Sequence, residues 1–181
     1  MKINSKTALT MYKQGKSLER ADLCGEDLSD MCFKNVNLKY AKLENVNFSN
    51  SDLSNANIST MHSNLSGANL TNTNLEKTNF SYSCLVNTNL TSANLSNSSL
   101  VSVDLTCSKL INTNLSNANL KSANLILADL TGANLTGANL ESAYLRDAKI
   151  TKSQLDQVKS HANATLPDGT VSTCMGRLNH V

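Results

Sequence analysis

The sequence predicts a stack of square coils closed by short helices at its ends. Three observations carry this expectation. Apolar residues recur every five positions, from Leu23 through Ile58 and then from Leu65 through Leu155. Small residues sit two positions before these centres, and Asn or Asp usually sits one before. A period of five matches neither the 3.6 of a helix nor the 2 of a simple strand. If the chain turns a corner every five residues, the centre and the small residue two before it both point inward, and four such sides close a coil of twenty.

The composition agrees. The 181 residues include 27 Leu, 26 Asn and 23 Ser but no Trp, three Phe and four Tyr. So many leucines exclude a disordered chain, and so few aromatics exclude a conventional globular core. Of 27 centres, 22 are Leu, three Phe and two Ile, with Leu65, Phe80, Leu95, Leu115 and Leu135 representative of the expected core. The positions two before them are Ala, Ser, Thr or Val, with Glu26 and Met31 as exceptions. Between Ile58 and Leu65 the interval is seven, which makes Met61 and His62 a two-residue insertion at a corner.

Units such as Ala68-Asn69-Leu70-Thr71-Asn72, Ala118-Asn119-Leu120-Lys121-Ser122 and Ala133-Asn134-Leu135-Thr136-Gly137 give the pattern A(D/N)LXX. On these residues the chain resembles the pentapeptide repeat proteins, from Ala21 to Leu155. The resemblance implies an all-β fold, a right-handed quadrilateral β-helix of about seven coils. At the usual inter-strand spacing these make a rod roughly 30 Å long.

Three segments are expected: a capping helix and lead-in over 1–20, the repeat β-helix over 21–157, and a cap and tail over 158–181. Ser5 is the expected N-cap of a helix through Gln14, with Leu9 and Tyr12 on one face and Gly15 as its stop. Near the other end, Ser153–Asp156 opens a short helix over Val158 and Ala162, and Leu166-Pro167-Asp168-Gly169 makes a turn.

Residues twenty apart stack, so columns are readable. Asp52, Asn74, Asn94, Asn114, Asn134 and then Gln154 form an amide ladder. Lys109, Asp129 and Lys149 form a charge ladder. The least polar face is the one built on Leu65, Leu85, Leu105, Leu125 and Leu145. Its outward residues Cys84, Val86, Ile126, Leu127 and Tyr144 make it the candidate partner surface, alongside Cys107.

Chemistry is expected to be absent. His62, His161 and His180 have no matching Cys, Ser or Asp arrangement, and no phosphate-binding loop occurs. No cofactor, metal, nucleic acid or membrane partner is expected. No apolar run approaches the roughly 20 residues of a membrane span, and no signal peptide is evident. Five cysteines without metal-like spacing read as free thiols, and the cytoplasm is the expected compartment.

The resemblance also implies one activity to weigh, because its quinolone-resistance members bind DNA gyrase as acidic mimics of duplex DNA. DNA carries one negative charge per roughly 1.7 Å. From Leu53 to Leu140 the acids are Glu76, Asp104 and Asp129, and the bases Lys77, Lys109 and Lys121 cancel them. A neutral rod does not imitate DNA. The expected function is a non-catalytic scaffold or regulator that presents a flat surface to another protein, as a monomer or a weak homodimer through a coil end. The alternatives are the gyrase-binding mimic and a secreted bacterial effector.

Overall fold

A computed structural model describes residues 2–59 and 63–173. The Met61–His62 insertion, Cys174 and the rest of the tail lie outside the described residues. Parallel bridges join the positions one before each centre into four columns. Partners are 20 residues apart, 22 across the phase break and 21 at the last two rungs. The columns are named here by a member: the Tyr144 face (through Cys84, Asp104, Asn124), the Lys149 face (Lys109, Asp129), the Asn114 face (Asn74, Asn94) and the Asn119 face (Asn79, Ser99). Each contact is a single bridge rather than an extended strand, because a corner interrupts the chain every five residues.

One unit shows the bonding. Leu95 N–H donates to Asn114 C=O (2.8 Å), and Asn114 N–H donates to Ala93 C=O (3.0 Å). At the corner Asn97 N–H donates to Ser116 C=O in the next coil (2.9 Å), and Ser98 N–H closes the turn on Leu95 C=O (3.2 Å). From Arg20 to Asp147 every described corner residue, two after the centre, has positive φ, between 52° and 64° where it is not glycine. Asn tolerates that conformation best among side-chain-bearing residues, which is why Asn dominates these positions. At Gly137 a Cβ would lie 2.5 Å from Asn117 Oδ1 of the previous coil, so a side chain there would require the Asn117 carboxamide to swing aside.

The axis is filled as expected. Leu65, Phe80, Leu95, Leu115 and Leu135 are all 0% exposed, each burial contributing about 1.5–3 kcal/mol relative to exposure. Inward hydroxyls are satisfied within the stack: Thr73 Oγ1 donates to Phe48 C=O (2.7 Å) and Thr113 Oγ1 to Leu90 C=O (2.7 Å). Ser108 Oγ is buried without a partner among the described residues.

The N-terminal cap is α1, Ser5–Lys13. Its N-cap is Asn4 rather than Ser5, because Asn4 is extended and its Oδ1 accepts Thr7 N–H (2.9 Å). Glu26, an exception to the small-residue rule, accepts the Ser5 N–H (2.9 Å), placing a carboxylate at the positive end of the helix. The helix stops at Gly15 with a Schellman pair of bonds, Lys16 N–H to Met11 C=O and Gly15 N–H to Tyr12 C=O, both 2.9 Å. Ala8 is fully buried, and the Tyr12 ring meets Phe33 edge-on at 5.1 Å. Lys2 adds an unexpected first rung by bridging to Asp22.

The C-terminal end departs more from expectation. Thr151-Lys152-Ser153-Gln154 is a capping box, so helix α2 runs Lys152–Leu155. The helix lifts Leu155 out of the axis, and this expected centre is only half-buried. Gln154 does not extend the amide ladder, because its Nε2 turns inward onto Leu130 C=O (2.7 Å) and Ala133 C=O (2.9 Å). Ladder bridges continue beyond residue 157, through Ser160 and Thr165. Val158 is buried, Ala162 is half-buried, and Ala164 rather than Ala162 is sealed in the core. Around the turn at Pro167 the chain folds back, so that Val171 bridges Thr165 in antiparallel fashion. No helix among the described residues is long and apolar enough to cross a membrane.

Candidate functional site

The outward side chains of one face occupy three positions per coil: before the centre, after it, and at the corner. Asn and Asp before the centre stabilise their own turn. Asn124 Oδ1, for example, accepts Ile126 N–H (3.2 Å), an Asx turn. On the Asn114 face the same groups also form the expected ladder. Asn94 Nδ2 donates to Asn74 Oδ1 (3.2 Å), Asn114 to Asn94 (3.1 Å) and Asn134 to Asn114 (3.3 Å). On the Lys149 face Asp129 pairs with Lys149 (2.9 Å) but with no other cation among the described residues, so Lys109 does not complete the charge ladder. The Thr131 hydroxyl, and then Lys149, hold the Asp129 carboxyl down at about 2. Both faces are polar, and the Asn114 face satisfies its carboxamides within its own ladder.

The Tyr144 face breaks these rules. Cys84 and Tyr144 replace the carboxamide before the centre and give up the Asx turn. Leu127 stands at a corner with φ 59° and is 56% exposed. A γ-branched apolar residue in that conformation costs about 1–2 kcal/mol relative to the right-handed regions. Ile126 beside it is half-buried. Tyr144, 52% exposed, lies in the adjoining coil, one rung beyond Asn124. Ile126, Leu127 and Tyr144 therefore cluster in two adjoining coils of one face, with Asn124 under Tyr144 and Arg146 over Ile126 among them.

Cys84 and Val86 share the face but not that cluster. Between them and Ile126 runs a coil carrying Asp104 and Thr106, whose Oγ1 donates to Asp104 Oδ1 (2.5 Å). This polar rung divides the expected patch in two. Tyr82, outside the expected patch, joins the Cys84 side: it occupies the corner leading into Cys84 with φ 64° and 55% exposure. Its signal was a bulky residue where Asn, Ser or Gly belongs. Val171, 62% exposed, was unreadable because the fold-back alone brings it to Thr165, the rung next to Tyr144.

Other chemistry is muted. Cys24, Cys32, Cys84 and Cys107 are free thiols. Burial and the hydrogen bond to Glu44 (2.7 Å) push the Cys24 thiol up to about 12, so it is a poor nucleophile. His161, for which the sequence offered no partner, lies with Nδ1 2.8 Å from Ser172 Oγ. Ser172 is 5% exposed, so the contact pins the fold-back rather than presenting a nucleophile. Among the described residues no three His, Cys, Asp or Glu side chains are grouped to hold a metal ion.

The comparisons with known proteins agree with this geometry. A family model described as pentapeptide repeats matches in eight copies, over residues 32–59, 61–97, 83–121, 98–137 and 123–159. No curated protein matches. A trypsin-treated form of QnrB1, a plasmid-mediated fluoroquinolone resistance protein, superposes with a TM-score of 0.55 at 21% identity, over 74% of this chain and 71% of that one. HetL, a pentapeptide repeat protein involved in heterocyst differentiation regulation in the cyanobacterium Nostoc sp. strain PCC 7120, aligns at 24% identity with a TM-score of 0.28, over 94% of this chain and 100% of that one. Rfr23 from the cyanobacterium Cyanothece 51142 aligns at 26% with a TM-score of 0.36, over 81% and 95%. The QnrB1 superposition shows a shared fold. With its repeats matched over most of their length, the chain belongs to the pentapeptide repeat family, whose members form right-handed quadrilateral β-helices.

Proposed function

We propose that the protein is a non-catalytic, right-handed β-solenoid scaffold that docks another protein on its Tyr144 face. Ile126, Leu127 and Tyr144 are the anchors, with Cys84 and Val86 a secondary contact beyond the polar rung. The single observation that supports this reading is Leu127, an exposed apolar side chain held in a left-handed corner. Stability alone favours Asn or Gly there, so its presence points to a use outside the fold. The test is a native pull-down from source lysate with wild type and with Ile126→Lys/Leu127→Lys. A stoichiometric partner captured by wild type and lost by the double variant is the expected result. A partner captured equally by both, or none by either, overturns the assignment. Gyrase mimicry gains no support from the likeness to QnrB1, since three acids and three bases leave the rod from Leu53 to Leu140 neutral.

A further inference from the structure

We propose a second docking site, at the C-terminal edge of the Tyr144 face, that accepts an extended, uncharged segment of a partner protein as one more strand. It does not rest on the docking of a protein at Leu127. Thr165 and Val171 form a pair that exchanges no hydrogen bonds of its own. The flanking bonds are Ser172 N–H to Ala164 C=O (2.8 Å) and Leu166 N–H to Thr170 C=O (2.7 Å). In that register Thr165 turns its own groups to the previous coil, with Thr165 N–H on Ala143 C=O (2.9 Å) and Leu145 N–H on Thr165 C=O (2.8 Å). Val171 therefore directs its N–H and C=O away from the stack, where neither has a partner among the described residues. A sheet edge with a free donor and acceptor is a template for strand addition.

Two more observations define the occupant. The same face begins, at its other end, on the rung of Lys2, and an edge lysine discourages pairing. The C-terminal edge carries instead an exposed β-branched valine, the residue type that favours strand pairing. Next to this edge, reached through the His161–Ser172 contact, is a cleft of about 440 Å³. Ile150, Leu155, Leu166 and Pro167 give it apolar walls, left open because α2 withdrew Leu155 from the axis. Its one cation is paired, Lys152 with Asp156 (3.0 Å), and Asp168 accepts from the Thr170 N–H (2.9 Å) and hydroxyl (2.7 Å) within its own turn. A strand alternates its side chains, so one set fills the cleft while the other lies beside Val171. The matching segment is short, extended, uncharged and alternately apolar.

The test is a fluorescence-anisotropy titration of the full chain with a dye-labelled, acetylated peptide that alternates threonine with valine and leucine. Saturable binding is expected. It should weaken about tenfold when alternate peptide amides are N-methylated, which removes main-chain donors without changing the side chains. Val171→Lys should weaken it similarly while melting like wild type, and Leu127→Asn should leave it unchanged. No binding at millimolar peptide, or equal binding of the N-methylated peptide, overturns the proposal. So does a chain ending at Thr173 that binds tenfold tighter, since this chain's own final residues would then be the occupant. A dimer in sedimentation that Val171→Lys converts to monomer overturns it in favour of a second copy.

Discussion

Replacing Leu127 tests the strain argument directly. At φ 59° the backbone is about 1–2 kcal/mol above the right-handed regions for a leucine and much less for an asparagine. The side chain is 56% exposed, so its loss removes less than half of the 1.5–3 kcal/mol that full burial contributes, roughly 1 kcal/mol. Leu127→Ala loses this cover and keeps the strained corner, whereas Leu127→Asn loses the same cover and relaxes it. The two variants should therefore differ by about 1 kcal/mol, or about 2–4 °C in Tm for a chain of this length. Thermal unfolding followed by circular dichroism and calorimetry measures that difference. If both variants melt together, the corner stores no strain, and the inference that Leu127 is kept for binding loses its basis.

Three other perturbations are informative. Leu115→Asp buries a carboxylate at a site of 0% exposure, at a cost of several kcal/mol; the cooperative thermal transition should be lost, and a wild-type midpoint would overturn the inward placement of the centres. Ser108→Ala removes a buried hydroxyl without a partner and should raise stability by about 1 kcal/mol, whereas Thr113→Ala deletes the bond to Leu90 C=O and should lower it by about as much. Denaturant midpoints shifting in the same direction would contradict this. The Asp129 carboxyl, held at about 2 by Thr131 and Lys149, favours the folded state above its unfolded value near 3.9. That contribution is complete above pH 5 and disappears as pH falls through 2, so the Tm gap between wild type and Asp129→Asn should close over that interval. A gap unchanged at pH 2 refutes the linkage.

The core was legible because packing an axis imposes a strict chemical period: Leu95 and Leu115 must be apolar, and Ala93 and Ala118 must be small. The corners were harder. Asn97 and Asn117 look like solvent-facing variety until their positive φ shows that the backbone selects them. At the C-terminus the period continues to Leu155, but the Thr151–Gln154 capping box overrides it; that motif was readable and names the N-cap as Thr151. At the candidate site the Ile126-Leu127 pair stood out in sequence. Its separation from Val86 did not, since Asp104 and Thr106 divide the face only once the coils are stacked.

The near-identity of the coils creates a problem of indexing. Displace the thread by five residues, a quarter-turn, and leucine still lies on leucine and corner on corner. The repeats alone barely distinguish the native alignment from its neighbours. Contacts that do not repeat distinguish it: Lys149 with Asp129 (2.9 Å) late in the stack, and, early in it, Tyr12 against Phe33, Phe33 edge-on to Phe48 at 6.2 Å, Ser5 N–H on Glu26, and Lys34 paired with Asp52 at 3.2 Å. The last four join the first helix or the first coils. The N-terminal cap and first coils therefore carry most of the marks that fix the count, and they are made before the later coils during synthesis.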